Sequence, residues 1–321
     1  MKREKSPLIA IIVPCFNEED ILINSIKELL NVLNFLSSKN KIDSNSYLYL
    51  IDDGSTDKTW DIITEAHKKS TKIKALKFIK NYGMQKALLA GYENSNILGC
   101  DCAISIDADL QQDINSIEKF IDEYINNNDL DIVLGIRRNR YGDSFIKKLT
   151  ADIFYTLAKI LGLKIIKNHA DYRLVSKKAL EILSLYKNKN FFFRSFFLNI
   201  GLKYSCLYFD VRKAKRESKF SIPKMLYLAL DSFTLLNLKP LRILLICGFC
   251  ILIVGIFFDL LLMILTMFFK YSINKYTIIW AIFIFFSGLH IFSIGIIGEY
   301  VGKILENQNN TPRYIREKEL L

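Results

Sequence analysis

The run Cys102-Ala-Ile-Ser-Ile-Asp107-Ala-Asp109-Leu-Gln111 decides how this chain folds. A short apolar run bounded by polar residues predicts a buried strand. It ends in two carboxylates one residue apart, where the chain leaves extended geometry, so Asp107 and Asp109 can converge on one point. Mg²⁺ commonly takes one or two carboxylates together with substrate phosphates, and Mn²⁺ accepts the same oxygens. A strand-end Asp-x-Asp thus predicts a metal bridge to a diphosphate. Such pairs are also common in plain turns, so the neighbouring stretches decide its meaning.

Working outward, the same pattern recurs. The apolar run from Leu8 to Val13 leads into Pro14-Cys-Phe16-Asn17-Glu18, and Tyr47 to Ile51 leads into Asp52-Asp53-Gly54. Ile73 to Ile79 leads into Lys80-Asn81. Helical patterns separate these strands: about Ile21 to Leu36, with the acids before it favourable at its start, one starting at Ser55-Thr-Asp57, Gly83 to Glu93, and Asn115 to Asn126. Further strands are expected at Ile132 to Leu134 and Leu202 to Val211, and helices at Ser144 to Leu161 and Phe191 to Ile200. Alternating strands and helices imply an α/β fold with a mainly parallel sheet and right-handed crossovers. Ligands of such sheets bind outside the carboxyl ends of the strands. Asn17, Asp52, Asp53, Asn81, Asp107 and Asp109 all fall at such ends.

The 321 residues are 51% hydrophobic and 24% charged, too apolar for a disordered chain. A formal net charge of +11 points to anionic partners: nucleic acid, phosphorylated substrates or a membrane surface. The basic residues crowd beside two long apolar runs, which fits anionic lipid rather than nucleic acid. The six cysteines read as buried thiols, and three scattered histidines, His67, His169 and His290, argue against a zinc site. Met1-Lys-Arg-Glu-Lys leads straight into a strand with no signal-peptide apolar region, so the first domain is expected in the cytoplasm. Ile243 to Phe269, interrupted by Asp259, and Tyr276 to Gly298 are each long enough to span a bilayer. Flanking Arg and Lys place both termini on the cytoplasmic side. Ser221 to Asn237 has the pattern of an amphipathic interfacial helix. A chain cut from about Arg242 onward is accordingly expected to be a soluble domain that still binds nucleotide.

Together these motifs resemble the inverting family 2 glycosyltransferases of GT-A fold, and among them the polyprenyl-phosphate glycosyltransferases, similar to bactoprenol glucosyltransferases and dolichol-phosphate mannose synthases. Asp171-Tyr-Arg173-Leu174 resembles an Asp-Phe-Arg-Leu segment of that group. Arg212-Lys213 through Ser218-Lys219-Phe220 resembles its basic run, although Arg216 stands where the group has glycine. Ile297-Gly-Glu-Tyr300-Val-Gly and Pro312-Arg-Tyr-Ile315 resemble its closing segment. The expected organisation is a cytoplasmic GT-A catalytic domain over 1–220, a juxtamembrane amphipathic helix over 221–240, two transmembrane helices over 241–302 and a cytoplasmic tail over 303–321.

The resemblance implies transfer of a hexose, glucose favoured, from a nucleoside diphosphate sugar, UDP favoured, to undecaprenyl or another polyprenyl phosphate in the cytoplasmic membrane, with inversion. GDP-mannose with a dolichyl-type acceptor is the alternative, and so is a non-catalytic membrane-anchored subunit that binds sugar nucleotides. A processive synthase would need more spans and a Gln-x-x-Arg-Trp segment, which this chain lacks. Pro14, Phe16, Asn17, Glu18, Asp52, Asp53, Lys80, Asn81, Asp107 and Ala108 are the expected nucleotide-sugar residues, with Asp52 or Asp53 on base or ribose. Asp107 and Asp109, helped by Gln111, would hold Mg²⁺ or Mn²⁺. The acceptor's phosphate would meet Arg137, Arg140, Arg194, Arg212, Lys213, Ser218 and Lys219. Asp109, Asp171 and Arg173 are the catalytic candidates, with Asp171 either a base or a residue that orients Arg173 or a sugar hydroxyl. A homo-oligomer is left open, and nucleic acid is not an expected partner.

Overall fold

The computed structural model describes residues 6–138, 166–186, 191–211 and 312–321, with scattered helical positions between 279 and 304. These fall into two units: one carries the sheet and includes 312–321, and the scattered helical positions belong to the other. No helix among the described residues is long and apolar enough to cross a membrane. The expected helices at 144–161 and 221–237, the basic segment 212–219 and the span 243–269 lie outside the described residues, as does most of 276–298.

The apolar runs are strands. β1 (Ile9–Cys15), β2 (Tyr47–Asp52), β3 (Ile73–Phe78) and β4 (Cys102–Ser105) are parallel neighbours in the order β4-β1-β2-β3. β5 (Ile132–Arg137), β6 (His169–Ser176) and β7 (Tyr204–Phe209) extend one side, and β8 (Arg316–Leu320) closes the other, giving the order β7-β5-β6-β4-β1-β2-β3-β8. β6 and β8 run against their neighbours, so the sheet is mostly parallel but not wholly so.

Strand alternation sends side chains to two faces, and both are covered, as a parallel sheet requires. Ile9, Ile11, Val13, Leu48 and Leu50 pack with α1 (Leu22–Ser38), α2 (Thr59–Lys69) and α4 (Ser116–Asn126). Ala10, Ile12, Tyr49 and Ile51 pack with α3 (Met84–Ile97), α5 (Lys177–Leu185) and α6 (Phe193–Asn199). Truncating one such residue, for example Leu50→Ala at full burial, costs about 2–5 kcal/mol. α3 lies so close to the sheet that a Cβ on Gly91 would stand 2.3 Å from Ile12 Cγ2.

Two helix starts differ from expectation. The acids of Glu18-Glu-Asp20 do not enter the first turn of α1, which holds none, and α2 begins at Thr59 rather than at Ser55. These residues serve instead to clasp neighbouring loops. The Lys58 N–H donates to the Glu19 carboxylate at 3.0 Å, and the Glu19 and Thr59 N–H groups donate to Asp57 at 3.2 and 2.9 Å. β1 and β2 are adjacent and parallel, so the loops leaving them run side by side and share each other's unpaired donors.

The closing residues, expected as a tail, add β8 to the free edge of β3. The adjoining segment docks beside it: Tyr314 stacks on Phe78 at 4.9 Å and donates its hydroxyl to Glu93 at 2.9 Å, while Arg313 pairs with the same Glu93 and donates to the Tyr186 carbonyl.

Candidate active site

The rim at the carboxyl ends of β1 to β4 is built from the loop after each strand. After β1, the Asn17 N–H donates to Ser55 Oγ at 3.0 Å, and the Thr56 N–H donates to Asn17 Oδ1 at 2.9 Å. The Glu18 N–H donates to Thr59 Oγ1 at 2.9 Å. Asn17 holds φ 54°, which asparagine tolerates better than most residues. Pro14 is half-buried and Phe16 exposed beside them.

After β2 the two aspartates divide. Asp52 is fully buried; one oxygen accepts the Ser55 N–H at 3.0 Å, and the other has no partner among the described residues. Asp53 crosses to the next loop, its oxygens accepting the Tyr82 and Gly83 N–H groups at 2.7 and 2.9 Å. Burial nonetheless pushes its pKa up to about 6, against those two hydrogen bonds. Gly54 between the loops sits at φ +67°, and a Cβ there would stand 2.3 Å from the Lys80 carbonyl carbon. No side chain fits, so the β2 and β3 loops touch backbone to backbone. Lys80 and Asn81 are exposed just beyond, with the Lys80 ammonium 5.4 Å from the Tyr82 ring centre.

β4 ends at Ser105, and a tight turn follows. The Leu110 N–H donates to the Asp107 carbonyl at 3.2 Å, and Leu110 takes φ 49° with its side chain buried. A left-handed leucine costs about 1–3 kcal/mol and persists only where its surroundings enforce it. The turn keeps the exposed Asp109 near enough for its charge to act on Asp107. Ala108 is buried, and its carbonyl accepts Ser25 Oγ from α1 at 2.6 Å. The exposed Asp109 receives the Gln111 backbone N–H at 3.1 Å and the Gln111 amide nitrogen at 2.7 Å, so Gln111 orients that carboxylate. Gln112 donates to Asp107 Oδ2, while Asp107 Oδ1 is buried without a partner among the described residues. Burial, then the charges of Asp109 and Asp171, push Asp107 up to about 6, with Arg137 opposing.

β6 completes the site by running backwards. Ser105 lies opposite Arg173 in the antiparallel β4–β6 pair, and Ile136 opposite His169 in β5–β6. The start of β6 therefore meets the ends of β4 and β5, which brings Asp171 and Arg173 to the rim with Asp107 and with Arg137, the last residue of β5. Tyr92 Oη donates to Ser105 Oγ at 2.9 Å, which donates to the Asp171 carbonyl at 2.8 Å, fixing this crossing. The Asp171 carboxylate is held by Arg173 on one oxygen and by Arg194 of α6 on the other, at 2.7 and 3.2 Å. Burial alone would raise the Asp171 pKa, but Arg194 and Arg173 outweigh it and hold the carboxyl well below the usual range. Arg173 is fully buried, its guanidinium 5.9 and 5.5 Å from the Phe193 and Phe197 ring centres. His169, also buried, is pushed down to about 3 by burial and by Arg173, and so stays neutral.

The structure thus gathers Asp107, Asp109, Arg137, Asp171, Arg173 and Arg194 at one edge of the rim. Asp52, the last residue of β2, and Asn17 and Asp53 in the clasped loops lie along it. Arg140, Arg212, Lys213, Ser218 and Lys219 lie outside the described residues. The sequence reading missed Gln112, Ser105 and Tyr92, whose partners lie on other elements. Among the described residues no three acidic, His or Cys side chains form a complete metal cage. Two carboxylates, one with a buried unpartnered oxygen, nonetheless fit a Mg²⁺ or Mn²⁺ ion that takes its other ligands from substrate phosphates and water.

Residues 10–183 match the family described as glycosyl transferase family 2. The chain is 37% identical over 318 residues to the uncharacterized glycosyltransferase YkoT of Bacillus subtilis (strain 168), covering 97% of this chain and 92% of that one. It is 29% identical over 315 residues to the bactoprenol glucosyl transferase of Shigella phage SfII, covering 97% of each. Among solved structures it is similar to glucosyl-3-phosphoglycerate synthase from Mycobacterium tuberculosis, with TM-score 0.47 and 15% identity over 71% of this chain and 78% of that one. With more than half of its length matched by the family, this chain belongs to glycosyl transferase family 2.

Proposed function

We propose that this glycosyltransferase moves a hexose, glucose in preference to mannose, from a nucleoside diphosphate, uridine in preference to guanosine, to a polyprenyl phosphate with inversion at the anomeric carbon. The observation that carries the reading is the reversed β6 beside β4, which sets an arginine-held carboxylate next to the Asp107–Asp109 pair. The similarity to a bactoprenol glucosyl transferase along nearly the whole chain supports the lipid acceptor and the choice of glucose.

The acceptor's phosphate oxygen attacks the anomeric carbon from the face opposite the diphosphate; the new C–O bond forms as the bond to the nucleoside diphosphate breaks. That oxygen is already anionic near neutral pH, so the reaction has little use for a general base. What the site must do is bring two anions together. Arg194, steered by Asp171 and about one-third exposed, and Arg137 are the described cations placed to meet the acceptor's phosphate. Arg140, Arg212, Lys213, Ser218 and Lys219 would extend that set. Asp171, pinned between two arginines, holds Arg194 in place rather than taking a proton. Asp52, with its unpartnered oxygen, is placed to accept from the donor's base or ribose, and Asp53 keeps the neighbouring loop closed. Asp107 and Asp109 would hold Mg²⁺ or Mn²⁺, which when bound offsets the charge building on the departing diphosphate.

The acceptor also carries the localisation. In this reading the sheet-bearing domain lies on the cytoplasmic face of the membrane, anchored through the apolar runs 243–269 and 276–298, with both termini cytoplasmic. The test uses the full chain in detergent with undecaprenyl phosphate, Mn²⁺ and a panel of labelled nucleotide sugars. UDP-glucose should give the largest transfer, abolished by excess chelator and by Asp109→Ala in a protein that keeps its melting temperature. Transfer from no sugar nucleotide, or undiminished transfer in chelator, would defeat the proposal.

A further inference from the structure

Gln112 does nothing in the site as read from sequence, yet it is buried and tied to a second element. The residue is 1% exposed. Its backbone forms an antiparallel bridge with Val211, just past the end of β7, so its position is set by the sheet region and not by the turn alone. Its amide nitrogen donates to Asp107 Oδ2, and its amide oxygen is buried with no partner among the described residues. Turned the other way, the amide would set oxygen against oxygen at the carboxylate. The donor's orientation is thus dictated by Asp107, and the unmet acceptor is a cost that packing alone does not explain.

The consequence falls on Asp107. One carboxylate oxygen is held by the Gln112 amide, which leaves Oδ1 without a partner among the described residues. The neighbouring charges explain why an amide suits this position. The carboxylates of Asp109 and Asp171 already lie near Asp107. A carboxylate at position 112 would deepen that repulsion, and an apolar residue would leave Asp107 free to rotate. An amide supplies a donor and no charge.

We propose that Gln112 is the positioning residue of the metal carboxylate: it fixes Asp107 so that its free oxygen faces the divalent cation of the donor diphosphate. This rests on the metal-dependent reading above, and the test separates the two. Partners that orient a metal ligand are worth about 10–100-fold in metal affinity. Mn²⁺ binding to the full-length protein in detergent with saturating UDP, followed by the free-ion signal in electron paramagnetic resonance, reads this without turnover. Wild type should bind and Asp109→Ala should not; if wild type fails to bind Mn²⁺, the metal reading itself falls. Gln112→Met, which keeps the volume and removes the donor, should bind Mn²⁺ about 10–100-fold more weakly and raise the Mn²⁺ needed for half-maximal transfer by the same factor. Its KM for the lipid acceptor should stay unchanged. If Gln112→Met does not fold, Gln112→Asn, which draws the amide back by one methylene, is read by the same measure. Mn²⁺ affinity within about threefold of wild type in whichever folded variant is measured would overturn the assignment while leaving the metal reading intact.

Discussion

Asp171→Asn is the substitution on which the site's electrostatics can be judged. The carboxylate is 5% exposed and lies between Arg173, at 0%, and Arg194, at 36%. Removing one partner of a buried pair costs about 3–5 kcal/mol, because the other charge is left uncompensated. Asparagine keeps one neutral acceptor, so the lower end applies, about 3 kcal/mol. For a domain of roughly 150–250 residues each kcal/mol shifts the melting temperature by about 2–4 °C, so a fall of about 6–12 °C is expected. The sign with pH follows from the depressed pKa of Asp171. Its contribution is present above the unfolded value, about 3.9, and is lost only as pH falls through the lower folded value. The deficit of the variant should hold steady from pH 5 to 8 and close only in strong acid. In the transfer assay the variant should lose at least about tenfold in turnover, since Arg194 is no longer steered. The shape of its pH–rate profile should be unchanged. A melting temperature within about 2 °C of wild type would refute the buried-pair argument. Loss of an ionisation between pH 5 and 8 from the profile would show that Asp171 is a base after all.

Asp53 behaves in the opposite sense: its carboxyl is raised to about 6, so it stabilises most while protonated, below about pH 4, and that contribution fades as pH rises to 6. Asp53→Asn leaves the Tyr82 or Gly83 N–H without its acceptor, costing about 1–3 kcal/mol, and chemical denaturation should show its deficit against wild type larger at pH 4 than at pH 7; a deficit that grows with pH would contradict the assignment. Cutting the chain before Arg242, expected from sequence to leave a soluble domain, also removes β8 together with Arg313 and Tyr314, so the shortened domain should bind UDP yet aggregate through the bare β3 edge, and adding residues 312–321 back as a peptide should raise its melting temperature; a cut chain that stays monomeric and gains nothing from the peptide would show the edge needs no cover.

Much of this rim was legible because each parallel strand announces itself twice, as an apolar run and as the polar residue that ends it. Val13 before Pro14, Ile51 before Asp52 and Ile106 before Asp107 mark where buried backbone meets the ligand side, and parallel connection then puts all three on one edge. The strand His169–Ser176 itself was not expected, and its direction was the second missing quantity. Nothing in His169-Ala-Asp171-Tyr-Arg173-Leu says that the strand runs against β4, since side-chain alternation is the same either way. Antiparallel pairing makes the beginning of β6, not its end, the functional part, and it buries the catalytic candidate Arg173 fully beside Asp171. β8 was hidden for a related reason. Arg316-Glu-Lys-Glu reads as a solvated charge run, and those side chains are indeed exposed, but an edge strand joins a sheet through its backbone, which needs no apolar side chain. Gln112 was hidden by distance, because its bridge partner lies at Val211. The residues that bind are written at strand ends, where composition changes sharply. The residues that aim them, Gln112 at Asp107 and Asp171 at Arg194, depend on which strands lie side by side and in which direction, and that is settled only when the whole sheet closes.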